Sequence, residues 1–574
     1  MTALSLGVQD GAKVVMSQAA RETHLHVVGT SGQGKSYFLE HMIRQDILNG
    51  SGVCLIDPHG EIYDNIVAWL AEKQMDRYRT IHLVNPSDEN WSVGFNPLCV
   101  GEDDPTVRVG AMVNACLKVW GGADLGDTPR LAKCLRSVFY VLAHQRLSLL
   151  EAKQLTNYSA MAARERLTHD LPNVAFLEEW QEFNAYPPRE FQNYFESTNS
   201  RLLPFISSPI VARMVGQTEQ VIDFTRCMNG RHIVLVNLAT KKKVAEADSQ
   251  LLGAMLFADL FASAKGRSVE EGKRSPFYCY LDECADYLTE DIARMLDQTR
   301  KFGLHLVLAH QRLAQLREHS ENLLDAVMAG AQSKVVFKVD EDKTADELGR
   351  YLYRKELDLE EPKKILNKPV AVGQLPIWLY AESETESYAE SEMSGQSENS
   401  GTVIGGSSGT TIHTNPDGNE TASTTSEGSS EIQSMSSGSF HAHSVTHGSA
   451  RSHGRSQGLK TQYEEMPTAV YSLEEQFHKA IVAVRSLPKR TALGYMVDKG
   501  KPFRFSTSTI RKGAVWPSQV SYFIERVHRV SPFSNDTATV NARIAHRRTM
   551  VIEGTPVEEE GDPFTIRSLE PVIE

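Results

Sequence analysis

Gly29-Thr30-Ser31-Gly32-Gln33-Gly34-Lys35-Ser36 has the form G-x-x-x-x-G-K-S and stands between two segments of different character. The preceding run, His24-Leu25-His26-Val27-Val28, reads as a buried strand, and Tyr37 to Leu48 reads as a helix. Strand, glycine turn and helix together make a phosphate cradle of this pattern. The glycines let backbone N–H groups curl around an anion, helped by the positive end of the following helix. In such a cradle Thr30, Ser31, Gly32, Gln33, Gly34, Lys35, Ser36 and Tyr37 line the nucleotide. Lys35 reaches the β- and γ-phosphates of ATP, and the Ser36 hydroxyl holds Mg2+. A glycine-rich turn that binds nothing is the bland alternative, and the strand–helix context argues against it.

Working outward, Leu4 to Ser17 predicts a short hairpin on the amino side. Strands are expected at Gly52–Asp57 and Thr80–Val84, with a helix over 61–72 between them. This alternation predicts an α/β fold with a mostly parallel, doubly wound sheet. Between 100 and 225 the period becomes helical, at Val109–Val119, Leu131–His144, Leu149–Leu155 and Ala175–Phe183. That stretch reads as an all-α domain inserted into the α/β core. Strands resume at His232–Leu238, Phe277–Leu281, Leu304–Leu308 and Lys334–Val339, with helices near 246–264, 290–302, 312–328 and 342–353. Residues 381–460 are dominated by Ser, Gly, Thr, Glu and His and predict a long disordered linker. In it His441, His443 and His447 read as solvated rather than metal-binding, because nothing enforces their spacing. A helix over Leu473–Arg485 and a hairpin of Ala492–Val497 with Phe503–Ser506 follow, then an acidic tail.

The formal charge of −13 over 574 residues disfavours nucleic acid only until it is localised. Residues 381–460 carry −7 and residues 549–574 carry −6, which leaves the remainder formally neutral. A local basic surface therefore stays compatible with the charge balance. The seven cysteines form no C-x-x-C pair and mostly sit in apolar runs, as reduced core residues do. There is no run of 18 apolar residues and no signal-peptide pattern, which predicts a cytoplasmic protein brought to the inner membrane through partners.

Phe277-Tyr278-Cys279-Tyr280-Leu281-Asp282-Glu283 is an apolar strand ending in two carboxylates. Opposite a phosphate loop, Asp282 is expected to hold Mg2+ and Glu283 to act as general base on the attacking water. Gln311 ends the strand that begins at Leu304 and is placed to sense the γ-phosphate or orient the water. Arg300 is a candidate trans-acting arginine, with Arg312 a competitor and a surface ion pair the plain reading. Asp57-Pro58-His59-Gly60-Glu61 ends another strand and reads equally well as part of the ligand edge or as a helix-initiating turn. Lys241-Lys242-Lys243 is either a grip on a phosphate backbone or a solvated loop. No helix-turn-helix or zinc-finger spacing is evident.

Four stretches carry a family resemblance: His-Val-Val-Gly-Thr-Ser-Gly-Gln-Gly-Lys-Ser at 26–36, Leu-Ile-Asp-Pro-His-Gly-Glu at 55–61, Phe-Asn-Pro-Leu at 95–98, and Leu-Asp-Glu-Cys-Ala-Asp at 281–286 followed by Thr-Arg-Lys-Phe-Gly-Leu-His-Leu-Val-Leu-Ala-His-Gln at 299–311. With them the sequence resembles the type IV secretion and conjugation coupling proteins of the TraG/TraD kind, in the HerA–FtsK group of DNA-pumping ATPases. Coupling proteins typically begin with membrane-spanning helices, for which this sequence has no candidate. The resemblance covers about 1–375 and resumes over 461–510. It implies a RecA-like motor whose Walker A residues are Lys35 and Ser36, whose Walker B acids are Asp282 and Glu283, and whose third-motif glutamine is Gln311. It further implies a homo-hexamer around DNA, single- or double-stranded, with a relaxase or secretion channel as partner. On this reading residues 1–100 and 229–380 are the two halves of the ATPase domain and 101–228 is the helical insert. Residues 381–460 are the linker, 461–548 a small α/β segment packing on the motor, and 549–574 the tail. The rival expectation is an ATPase that drives protein secretion or assembly without DNA.

Overall fold

Seven short apolar runs that bury every residue they contain form the parallel part of the sheet, which is covered on both faces. In the computed structural model these are β3 (Leu25–Val28), β4 (Gly52–Asp57), β5 (Ile81–Val84), β7 (Ile233–Asn237), β8 (Phe277–Leu281), β9 (Leu304–His310) and β10 (Ser333–Val336). The structure describes residues 3–99, 105–120, 128–239, 245–269, 273–288, 296, 301–318, 320–356, 367–385, 419–426, 430–437, 450–467 and 471–553. The seven strands lie parallel in the order β10-β3-β9-β8-β4-β7-β5.

Four antiparallel strands extend this sheet beyond β10. They are β15 (Thr491–Tyr495), β16 (Pro502–Thr507), β1 (Leu4–Gln9) and β2 (Ala12–Met16). β16 and β2 alternate buried and exposed residues, as strands with one solvated face do. The hairpins expected at both ends of the sequence are therefore neighbours in one sheet. β6 (Trp91–Val93) pairs outside it with β17 (Ser534–Asp536).

Alternate residues of the parallel strands feed two cores, one per face. Val27, Val53, Leu55, Leu235 and Tyr280 join the P-loop helix Lys35–Leu48 and the helix Glu61–Lys73 on one face. Val28, Ile56, Val236, Cys279 and Leu281 join the helix Glu246–Lys265 and the helical insert on the other. From Pro105 to Asn229 the described elements are helical, and their core is continuous with that second face. The helix Pro188–Ser207 is not among the helices expected for this stretch, and it carries Pro188 and Pro204. Pro188 occupies the first turn, where its missing N–H costs nothing, and Phe191, Phe195, Leu202 and Phe205 bury the helix from there on. Of the helix expected over 290–302, only Leu296, Lys301 and Phe302 lie among the described residues.

The carboxy-terminal part is woven through the same body. Helix Pro517–Val530 packs beside Glu61–Lys73 and β5, and Thr537–Glu553 beside the insert. There Arg547 meets Glu151 Oε1 at 3.2 Å and Thr218 Oγ1 at 3.1 Å. The acidic tail expected from 549 is helical through Glu553, and the rest lies outside the described residues.

A separate unit spans 357–476. Within it β11 (Asn367–Thr385), β12 (Asn419–Ser426), β13 (Ser430–Ser437) and β14 (Ala450–Pro467) form an antiparallel sheet in the order β11-β14-β13-β12. Much of the Ser/Gly-rich linker expected over 381–460 lies outside the described residues. Ser- and Thr-rich chain can satisfy its backbone groups in a ladder without burying side chains. His441, His443 and His447 lie outside the described residues.

One buried ion pair fixes the P-loop helix to the sheet. Arg21 donates to Asp46 at 2.5 and 2.7 Å, and Tyr280 on β8 donates its hydroxyl to the same carboxylate at 2.5 Å. The Arg21 guanidinium lies 3.4 Å from the centre of the Tyr278 ring. Asp46→Ala would strand the arginine charge in the core and is expected to cost about 3–5 kcal/mol. The measurement is the urea unfolding midpoint, with an Arg21→Met/Asp46→Leu double variant expected to recover most of the loss.

Candidate nucleotide-binding site

The P-loop leaves the carboxyl end of β3, and both neighbouring strands hold its base. Gly29 N–H donates to the His310 carbonyl at 3.3 Å, and Thr30 N–H to the Lys338 carbonyl at 3.0 Å. A Cβ on Gly29 would lie 2.5 Å from that of Phe337, so only glycine permits this approach. Gly32 and Gly34 have φ of 78° and 112°, in the region that favours glycine. Gly34 caps the helix Lys35–Leu48 without a side-chain bond, which leaves the first helical N–H groups facing the loop. Ser31 is exposed, and Thr30, Gln33, Ser36 and Tyr37 are half-buried around the same turn.

Lys35 is buried, and its Nζ donates to Glu283 Oε1 at 3.0 Å. The same oxygen accepts from Gln311 Nε2 at 3.0 Å, while Oε2 accepts from Gln315 Nε2 at 3.4 Å. Burial works against the charge on Glu283, but Lys35 and the two amides outweigh it and hold the carboxyl below its ordinary range. Glu283 also has a φ of 47°, an uncommon conformation for a non-glycine residue and one that clusters at functional sites. Asp282 beside it behaves oppositely. Burial, reinforced by Glu283 and Asp57 against Lys35, pushes its carboxyl up to about 7. Its Oδ1 is buried without a hydrogen-bond partner. An orphaned carboxylate oxygen next to a phosphate loop is what a hard cation would satisfy, so these residues fit Mg2+ together with a nucleoside triphosphate.

Of the expected site residues, Lys35, Asp282, Glu283 and Gln311 thus converge at one edge of the sheet. Asp57 resolves toward the structural reading. Its Oδ1 accepts from His59 N–H and Gly60 N–H, and its Oδ2 from Tyr63 N–H, each at 2.9 Å, so it opens the helix Glu61–Lys73. Arg312 is 55% exposed and lies 3.9 Å from Glu318, a surface ion pair. Arg300 and Lys241-Lys242-Lys243 lie outside the described residues.

Three contributors were missed in the sequence. Gln315 lies on the helix Leu313–Arg317, and its side chain caps the start of that helix by accepting from the Gln311 and Arg312 N–H groups at 2.9 and 3.1 Å. Lys118, from the helical insert, donates to the Ala285 carbonyl at 2.6 Å, two residues after the carboxylate pair. Its burial pulls the amine down to about 7. Arg490 gave no local signal at all. Its N–H donates to the Gln33 carbonyl at 2.8 Å, and its guanidinium binds the carbonyls of Thr507 and Ser508 at 3.3 and 3.0 Å. It also lies 5.5 Å from the Tyr37 ring centre. The β15–β16 hairpin thereby braces the P-loop from its open side.

A glycine cradle at the end of β3, an acid pair at the end of β8 and an amide at the end of β9 between them define a P-loop NTPase. Comparison with known proteins agrees. Residues 12–98 match the family model for the central domain of the helicase HerA, and residues 276–363 match that for the TraM recognition site of TraD and TraG. The type 4 coupling protein DotL of Legionella pneumophila is 21% identical over 374 residues, which are 56% of this chain and 47% of DotL. The chain thus matches about half the length of that relative. Among solved structures, the plasmid coupling protein TrwB in complex with ADP and Mg2+ shares 14% identity and covers 90% of this chain and 92% of its own, with a TM-score of 0.48. VirB4 of Thermoanaerobacter pseudethanolicus shares 13% identity and covers 62% of this chain and 89% of its own, with a TM-score of 0.38. The chain is a P-loop ATPase similar to the type IV coupling proteins. Among the described residues no helix is long and apolar enough to cross a membrane.

Because the Arg490 guanidinium fixes the hairpin end whose N–H holds Gln33, Arg490→Ala is expected to loosen that brace and raise the ATP dissociation constant about 5–30-fold, through the charged hydrogen bonds to Thr507 and Ser508 that it removes. Titration with a fluorescent nucleotide analogue measures this. An unchanged constant would show that the hairpin leaves the loop's shape alone.

Proposed function

We propose that this chain is an ATP-hydrolysing motor that binds and translocates DNA, as a conjugative coupling protein does. The observation that carries the hydrolytic part is the Lys35–Glu283–Gln311 constellation beside the unpartnered Oδ1 of Asp282. Thr30 to Tyr37 line the triphosphate, Lys35 binds its outer phosphates, and Ser36 with Asp282 holds Mg2+. Glu283, kept ionised, takes the proton of the attacking water, and Gln311 orients that water. Bound Mg2+ neutralises charge that develops on the phosphoryl oxygens. An arginine from a neighbouring subunit, Arg300 with Arg312 as its rival, stabilises the same charge across a hexamer interface.

The DNA part rests on the HerA-like and TraD/TraG-like segments and on the likeness to DotL. In this reading the subunits encircle DNA without reading its sequence, and a relaxase or a secretion channel supplies or receives the cargo. The site lies in the cytoplasm, with recruitment to the inner membrane through those partners.

The test is steady-state ATP hydrolysis by the purified protein, alone and with single-stranded DNA, double-stranded DNA or RNA. DNA is expected to stimulate turnover, and Glu283→Gln to lower kcat about 10²–10⁴-fold while ATP still binds. Robust hydrolysis indifferent to every nucleic acid would overturn the translocase and leave an ATPase that powers protein secretion.

A further inference from the structure

The amino-terminal ends of β5 and β7, at the edge of the sheet away from the nucleotide, hold a second cluster of chemistry-bearing side chains. His82 lies on β5, Cys227 on the helix Phe224–Asn229, and His232 immediately before β7. One donor atom from each lies within 4.8 Å of the others. His82 and Cys227 are fully buried, and His232 is half-buried.

The local chain is built to bring these three together. After the helix the backbone turns so that His232 N–H donates to the Cys227 carbonyl at 2.9 Å, which closes a C-x-x-x-x-H loop. Gly230 makes room for the His232 ring, because a Cβ there would stand 2.3 Å from Nε2. His82 Nε2 lies 3.0 Å from His232 Nδ1. On the other side of its ring, Nδ1 lies 2.9 Å from the Ser531 hydroxyl. By accepting from Nδ1–H, that hydroxyl supports the tautomer that leaves the Nε2 lone pair for a metal, the usual arrangement behind a metal-bound histidine. The Phe533 ring packs over His82 with centres 4.8 Å apart and closes the site from outside.

We propose that His82, Cys227 and His232 bind a thiolate-seeking divalent ion, zinc foremost, leaving its fourth position to water. An ion about 2.0–2.3 Å from two nitrogens and a sulfur sets the donors roughly 3.3–3.8 Å apart, which side-chain torsion reaches from the present arrangement. A thiol beside two imidazoles suits an ion with high thiolate affinity, which displaces the thiol proton as it binds. Mg2+ and Ca2+ therefore have no purchase here. Arg79, one of the nearby cations, is already committed to the carbonyls of Ile47, Ser51 and Arg231. Lying away from the P-loop, the ion ties β5 and β7 to the end of the helical insert and takes no part in hydrolysis.

The full chain, prepared without a histidine tag and stripped with a chelator, is titrated with Co2+ and then with Zn2+. One equivalent of Co2+ is expected to give a thiolate-to-cobalt charge-transfer band that Zn2+ displaces. Zn2+, but not Mg2+, is expected to raise the melting temperature of the stripped wild-type protein. Cys227→Ser is expected to lose the band while keeping ATP hydrolysis, and His232→Ala to weaken binding at least about 100-fold. Residues 381–460 contain no cysteine, so cobalt held by their histidines gives no such band. A wild-type protein without the band, a band that survives in Cys227→Ser, or Zn2+ without effect on melting would each overturn the site. The wild-type measurements decide even where a variant fails to fold.

Discussion

The position of β9 between β3 and β8 governs the nucleotide edge. The P-loop leaves one of its neighbours and the acid pair ends the other, so β9 sets the gap across which they face each other. Its register does this through buried backbone and side chains alike. Val28 pairs with His310 and Leu281 with Leu308, which carries Gln311 to the level of Gly29 and within reach of Glu283. Inside the sheet His26 and His310 meet Nε2 to Nε2 at 2.6 Å, one neutral ring donating to the other, and His310 Nδ1 lies 2.9 Å from the Arg312 carbonyl. Burial keeps His310 neutral, pulling it down to about 4. A slip of one residue would turn each buried side chain to the opposite face, so the cores on both sides enforce the alignment.

The site also shows how charge is accommodated where water is scarce. Lys35 and Glu283 neutralise each other, and burial raises the Asp282 carboxyl so that a second unpaired charge is disfavoured. The resting cradle is therefore close to electroneutral. This lowers the cost of desolvating three ionisable groups together, and it keeps Glu283 deprotonated as a base must be.

What the sequence revealed follows from the range of the forces involved. The parallel strands were legible because burial on both faces writes an uninterrupted apolar run into each, and Gly29 to Ser36 because local backbone geometry demands glycine. The acid pair was legible as the polar end of such a run. Pro188–Ser207 was not, since its prolines are tolerated only through a tertiary core of aromatic side chains. Asp57 stayed ambiguous because ligand edges and helix starts use the same residues, and the three N–H groups it accepts from are a matter of folded geometry. Arg490 and Lys118 had no signature, as their partners are backbone carbonyls supplied by segments far away in the chain.

The β15–β16 hairpin carries a consequence for how the protein comes into being. It abuts β10 at the centre of the sheet and braces Gln33 through Arg490, yet it is made long after the P-loop has left the ribosome. Until then β10 is an open sheet edge and the loop lacks its outer support. A growing polypeptide therefore carries an unfinished nucleotide cradle until the segment Thr491–Thr507 emerges, and only then is the loop braced.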